Sequence, residues 1–401
     1  MENLEFKCFT ETTSLAEHLE MMKIHWDCAD LVQSCTKQIS EIVLESPFDT
    51  HLHLRDWEML KAVAPSSATT FAGWIIMPNL APAIETLEQV ISYKWRIMEA
   101  IDWENFTPYM TINFRSDYTR EFLKKIKPHI IWIKMYPKWQ TTNSEGWVDW
   151  ANIEEYRNTL TYMQELWIPL LVHWERIDGW YKIDELDKER KFAPIYEKLA
   201  QEFPKLKIIM EHVSTKECIE LIDKYPNLYA TVTLHHLLLI HNDIVSMWIQ
   251  PHHFFKPIAK LWEDRKAILK YVLSGNPKIM LGTDSAPHEV GKKECACWCA
   301  WAFTAPIALQ ALIQIFESFW QLDNLHKFAS ENAKKNYEID LPQKNVKFIK
   351  KDFEVSDKKE LPYDYFINPN VRKELITPAK LFLWWKKLAW DLKGKNLPWT
   401  I

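Results

Sequence analysis

Eight short apolar runs punctuate the chain, each ending in a polar cluster and followed by a helical stretch. They cover residues 48–52, 74–77, 109–112, 130–135, 169–172, 207–210, 229–233 and 278–281. Helix-like stretches lie between them, for example over 87–100, 153–167, 196–203, 216–225 and 262–273. Strands alternating with helices at this spacing predict parallel βαβ units, because parallel neighbours need a long crossover. Eight such units predict an α/β fold, a (β/α)8 TIM barrel, with its chemistry at the C-terminal ends of the strands. The barrel is expected over 46–340. Residues 1–45 read as an N-terminal extension with helical character over 14–40. The Lys-rich segment 341–401 reads as an addition that packs on the barrel.

Composition narrows the function classes. Of 401 residues, 26% are charged and 47% hydrophobic, with a net charge of −5, which argues against disorder. Mild acidity and the lack of a long basic stretch give no support to a nucleic-acid partner. No run of about 18 apolar residues is present, so no membrane span is expected. The first ten residues have charges but no apolar core, unlike a secretory signal. Seven cysteines, an odd number, suit a reducing cytoplasm better than a disulfide framework.

Metal-ligand residue types recur where the strands end. His51 and His53 flank Leu52, and residues two apart on a strand share a face. His173 follows the run 169–172, Glu211-His212 follows 207–210, and Asp284 and His288 follow 278–281. Singly, each is as easily a packed side chain as a ligand. Together, four strand ends in order carry imidazole or carboxylate groups suited to zinc or a similar divalent ion. Lys134 sits near the end of a middle strand. An ammonium facing a barrel interior is costly, so it either pairs with an acid or is converted by CO2 to an anionic carbamate.

These residues lie in longer matching text. The chain resembles the class II, bacterial-type dihydroorotases of the amidohydrolase superfamily over about residues 46–392. The resemblance rests on His51-Leu52-His53-Leu54-Arg55-Asp56, Met77-Pro78-Asn79-Leu80-Ala81-Pro82, Lys134-Met135-Tyr136-Pro137 and Thr141-Thr142-Asn143. It continues through Val172-His173, Glu211-His212 and Gly282-Thr283-Asp284-Ser285-Ala286-Pro287-His288. It implies a cyclic-amide hydrolase that interconverts N-carbamoyl-L-aspartate and L-dihydroorotate in pyrimidine synthesis, with this small molecule as its partner and a homodimeric state. It further implies two zinc ions per chain. His51, His53 and Asp284 would hold one, and His173 and His212 the other. Carbamylated Lys134 and a hydroxide would bridge them, and Asp284 would also act as the general base. Arg55, Asn79 and His288 match residues that hold the substrate carboxylate, and backbone groups near Leu237 and Ala300 match further ligand contacts. Thr141 and Thr142 match the tip of a mobile loop that closes over the substrate.

Other motifs stay outside this set. Cys295, Cys297 and Cys299 lack the spacing of a zinc ribbon and read as loop packing. Neither His235-His236 nor His252-His253 falls on a family metal position. Two alternatives remain: another cyclic amidohydrolase of the hydantoinase or dihydropyrimidinase kind, or a non-catalytic dihydroorotase-like scaffold.

One pair of counts is abnormal. The chain has 7 glycines and 21 tryptophans. Together they make up about 7%, the usual share of glycine alone. Trp57, Trp103, Trp139, Trp167, Trp174, Trp248, Trp298, Trp301 and Trp385 align with family glycines, whereas Trp390 matches a family tryptophan. The expectation is a UGA codon that means glycine in the organism and was read as tryptophan. Genuine indoles at 57 and 174 would instead occlude the pocket.

Overall fold

The computed structural model describes residues 9, 14–25, 39–101, 106–137, 150–173, 175–176, 182–246, 248–296, 298–354, 380, 382–383 and 386–393. Thr141, Thr142, Cys297 and four of the glycine-aligned tryptophans (Trp103, Trp139, Trp174 and Trp385) lie outside them.

Eight parallel strands form one sheet in sequence order: β2 (Phe48–Leu52), β3 (Gly73–Ile76), β4 (Thr107–Asn113), β5 (Trp132–Met135), β6 (Leu170–Val172), β7 (Ile208–Met210), β8 (Leu228–Val232) and β9 (Ile279–Leu281). Hydrogen bonds join the last strand to the first. Asp284 N donates to His51 O at 2.9 Å, His53 N to Ser285 O at 3.0 Å, and Thr50 Oγ1 to Leu281 O at 2.7 Å. The sheet thus curls into the expected barrel. Each predicted strand appears within two residues of its expected ends, and the helices Leu87–Ala100 and Trp262–Leu273 match their expected spans. The expected helix at 153–167 begins as a tight 3-10 turn, Trp150–Tyr156, before the α-helix Arg157–Leu166.

Strand periodicity sorts the interior into layers. Ile75, Trp132, Leu171, Ile209 and Met280 form an apolar cluster with Phe48, and Ala333 and Tyr337 join it. The Trp132 and Tyr337 rings meet edge to face, 4.1 Å apart. Two residues further along β5, β6, β7 and β9, the same inward direction belongs to Lys134, His173, Glu211 and Gly282. Gly282 is required there. A β-carbon on it would come within 2.9 Å of His51 Cβ and 3.0 Å of Thr231 Cβ. The alternate strand residues, such as Ile133, Met135, Leu170, Val172, Ile208 and Met210, bury themselves in the larger core shared with the surrounding helices.

A second, three-stranded antiparallel sheet joins the two ends of the chain. β1 (Glu41–Glu45) pairs with β10 (Asn345–Glu354), which pairs with β11 (Lys387–Leu392). The helix Leu15–His25 buries Leu15, Leu19 and Met22 beside the helix Ala308–Ser318 and β11. No helix among the described residues is long and apolar enough to cross a membrane.

Candidate metal centre

The strand ends bring the expected ligands together. His51, His53 and Asp284 are all buried, and each offers a ligand atom within 4.8 Å of the others. The Nε2 atoms of His51 and His53 lie 3.2 Å apart, and they approach Asp284 Oδ1 to 3.3 and 3.1 Å. His212 stands beside both His51 and His173, with ring centroids 5.2 and 4.5 Å away. Lys134 rises from the floor of the same chamber, fully buried, its Nζ 5.0 Å over the Tyr136 ring.

Burial sets the protonation. It holds His51, His53, His173 and His212 below the usual histidine range, so each is neutral with a lone pair available. It pushes Asp284 up to about 7 against the opposing charges of Lys134, His173 and Arg55. It pulls Lys134 down to about 8, opposed by Glu211 and Asp284. Among the described residues, Lys134 Nζ and His212 Nδ1 have no hydrogen-bond partner. The Asp284 oxygens have histidine nitrogens and the Trp301 indole close by but none in hydrogen-bond geometry. Buried polar atoms left so are costly unless something else meets them. Neutral imidazoles, a carboxylate and an orphaned amine around one chamber fit a divalent-cation site.

Carboxylates that the sequence left without roles orient these ligands. Glu211 Oε2 takes the Nδ1 side of His51, turning Nε2 toward the centre. Thr231 Oγ1 donates to Glu211 Oε2 at 3.1 Å and accepts from His212 N at 2.7 Å. Asp49 accepts from His51 N, Thr283 N and Thr283 Oγ1, at 3.1, 2.8 and 2.5 Å, and so ties the first strand to the last. Glu175 Oε2 lies 3.3 Å from His173 Nε2. Their adjacency to ligand histidines was the available signal, since a ligating imidazole usually gives its other nitrogen to such a partner.

The expected carboxylate-binding residues converge at the rim. Arg55 Nη2 lies 2.7 Å from His288 Nε2, and its Nε donates to Pro287 O at 3.0 Å. Burial and the Arg55 charge hold His288 down to about 2, so it is neutral. Its Nε2 therefore accepts from Arg55, which leaves Nδ1–H as a donor. Asn79 Oδ1 is committed to His53 Nδ1 at 2.6 Å, so Asn79 braces His53 and its amide nitrogen is the donor it has left to offer. Leu237 lies on the short helix Leu234–Leu238 that follows β8, and Ala300 clusters with Ala286 and Trp301. Lys293 fixes this loop by donating to Phe254 O at 3.2 Å, to Cys299 O at 3.0 Å and to Trp301 O. Arg55, His212 and Asp284 all take left-handed backbone, with φ of 61, 41 and 44°. Strain of this kind concentrates at functional sites.

No protein-family model matches the chain. Individual relatives do. A dihydroorotase of Helicobacter hepaticus is 37% identical over 88% of this chain and 98% of its own length. The crystal structure of a Campylobacter jejuni dihydroorotase superposes with a TM-score of 0.80 at 41% identity, covering 90% of this chain and all of that one. A Saccharomyces cerevisiae dihydroorotase in complex with 5-fluoroorotic acid gives 0.79 at 30%, over 88% and 99% of the two chains. The identity, the near-complete coverage and the barrel place the chain in one family: it belongs to the dihydroorotases.

Proposed function

We propose that the chain interconverts L-dihydroorotate and N-carbamoyl-L-aspartate with two zinc ions, which His51, His53 and Asp284, His173 and His212, and a carbamylated Lys134 would hold. The observation that carries this reading is a buried lysine amine without a hydrogen-bond partner among the described residues, set among neutral histidines and a carboxylate. An amine brought near neutrality by burial is nucleophilic enough to add CO2. Bound metal ions would acidify water and polarise the ring carbonyl.

The chain's own groups do the rest. In the hydrolytic direction a water oxygen bonds to the ring carbonyl carbon, and the bond from that carbon to the ring nitrogen breaks. Asp284 takes one proton from the water and delivers it to the departing nitrogen, which becomes the NH2 of a terminal urea; the second proton leaves to solvent as the new acid ionises to a carboxylate, and cyclisation takes it up again. In cyclisation the same carboxyl works in reverse. A pKa brought toward neutrality serves both halves of that transfer. Arg55 Nε and Nη2 are anchored on Pro287 O, Ala286 O and His288, so its remaining Nη1 donors and the Nδ1–H of His288 would hold the substrate's carboxylate, with the Asn79 amide as a further donor. Backbone groups at Leu237 and Ala300 would line the ring. Thr141 and Thr142 would close over it and exclude water.

The Arg55–His288 pair favours this substrate over the uncharged rings of hydantoinases, which carry no carboxylate to match it. A homodimer and a cytoplasmic location are the states the family resemblance implies, and sedimentation of purified protein reads the first. Protein purified from its native source is expected to hold about two zinc ions per chain, to turn over dihydroorotate, to lose activity on chelation and to regain it with zinc. Turnover of hydantoin without dihydroorotate would sink the assignment.

A further inference from the structure

We infer that the protein its own cell makes carries glycine at positions 57, 167, 298, 301 and 320, and that glycine at 301 keeps the substrate cleft open. The second half rests on the dihydroorotase reading; the first does not.

The backbone carries the argument. Eleven described non-glycine residues have positive φ, and five are tryptophans: Trp57 at 52°, Trp167 at 54°, Trp298 at 36°, Trp301 at 102° and Trp320 at 59°. A residue type filling 21 of 401 positions would supply fewer than one by chance. Three of the other six are the site residues Arg55, His212 and Asp284. Glycine is the default where the chain turns left-handed, and 102° lies well outside the narrow region that L residues reach.

Two of the five stand in a motif built for glycine. After the helix Arg157–Leu166, Ile168 N donates to Met163 O at 2.9 Å and Trp167 N to Gln164 O at 3.3 Å. After the helix Ala308–Ser318, Gln321 N donates to Phe316 O at 2.8 Å and Trp320 N to Glu317 O at 3.0 Å. Both are Schellman closures, and the tryptophan holds the left-handed position that glycine normally fills. Trp320 was not among the tryptophans aligned with family glycines, so it supports the inference independently.

Trp74, Trp132 and Trp390 lie in strands and are fully buried. Trp57 and Trp167 are each 72% exposed, and Trp320 is 42% exposed. Exposure alone does not separate the two groups: left-handed Trp301 is buried, and Trp95, Trp248 and Trp262 are exposed without positive φ. One cause accounts for backbone and composition together: a codon, UGA, that means glycine in the organism and tryptophan in the table that wrote the sequence.

Position 301 is where this matters for chemistry. The Trp301 ring is 5% exposed, with its centroid 6.4 Å from that of His53 and 6.3 Å from that of His288. The buried indole thus stands within about 6.4 Å of both His53 and His288, and on the dihydroorotase reading it takes up room beside them that the substrate ring needs. Glycine there leaves the loop's bonds to Phe254 and Lys293 intact, because both use the backbone.

The test is peptide mass spectrometry on protein from its native source. One tryptic peptide, 294–327, contains positions 298, 301 and 320, and a second, 158–176, contains 167. The expected masses are lighter by an indolylmethyl-for-hydrogen exchange at each of these positions, while Trp132 in its own peptide stays tryptophan. Tryptophan at 167, 301 or 320 overturns the inference. Recombinant protein separates it from the functional reading. A chain carrying Trp57→Gly, Trp167→Gly, Trp298→Gly, Trp301→Gly and Trp320→Gly is expected to melt higher than the chain as written and to gain dihydroorotate binding. A higher melting point without turnover would leave the glycines standing and count against the enzyme assignment. Equal melting points and equal binding would overturn the inference.

Discussion

In the proposed mechanism Asp284 has two duties at one carboxyl, and both depend on its burial. It completes the triad with His51 and His53, and its shifted pKa suits it to carry a proton in either direction. Asp284→Asn keeps the volume but removes the proton carrier. It is expected to lower kcat by about 100- to 10,000-fold, with circular dichroism unchanged and metal content measured in parallel to divide the loss between the two duties. In the same proposal Arg55 acts on binding rather than on the bond being broken. Arg55→Lys keeps the charge but loses the planar guanidinium that reaches His288 and the substrate together, and with it about 1.5–3 kcal/mol. The expected readout is a KM raised roughly 10- to 100-fold with kcat little changed; a fall in kcat alone would count against its role. The left-handed tryptophans belong to this scale too. Each costs about 1–2 kcal/mol in backbone conformation, so five together consume much of a typical total stability of about 5–15 kcal/mol.

At the scale of elements, the barrel works because each strand delivers its chemistry one layer above an apolar floor. Trp132 precedes Lys134, Leu171 precedes His173, Ile209 precedes Glu211, and Met280 precedes Gly282, always by two residues. Gly282 gives the room in which β9 can approach β2 and β8 closely. Gly282→Ala adds one β-carbon against His51, Thr231 and Thr50, whose nearest atoms stand 2.9–3.1 Å away. The expected cost is about 1–3 kcal/mol in urea unfolding, together with reduced metal content because His51 must shift. A variant that loses stability but keeps full metal occupancy would show that the ligand geometry tolerates the displaced strand.

For the whole molecule, the two chain ends matter more than a barrel alone requires. The helix Leu15–His25 packs on the barrel, and His18 Nε2 lies 3.1 Å from Leu238 O, one residue beyond Leu237. Removing residues 1–38 strips the buried Leu15, Leu19 and Met22 from this surface, each worth about 1.5–3 kcal/mol when fully buried. The truncated protein is expected to unfold several degrees lower in differential scanning calorimetry while retaining its metal. An unchanged melting point would mean that the extension adds nothing to the stability of the barrel.

The strand order, the helices between them and the metal-ligand residue types were legible in the sequence alone, because period-two alternation and residue chemistry are local properties of a chain. His51, Lys134, His173, His212 and Asp284 could each be found from their place at the end of, or just after, an apolar run. Their mutual geometry could not, because it exists only once β9 closes on β2. The same closure brings Arg55 to His288 across 233 residues. Nor could local sequence show that Glu211 turns His51, that Asp49 clasps Thr283, or that Asn79 spends its oxygen on His53. Those pairings join different strands, and only the folded barrel brings them within hydrogen-bonding reach. Backbone handedness divides along the same line. The sequence showed too many tryptophans and too few glycines, and only the fold revealed which indoles sit on turns that favour glycine.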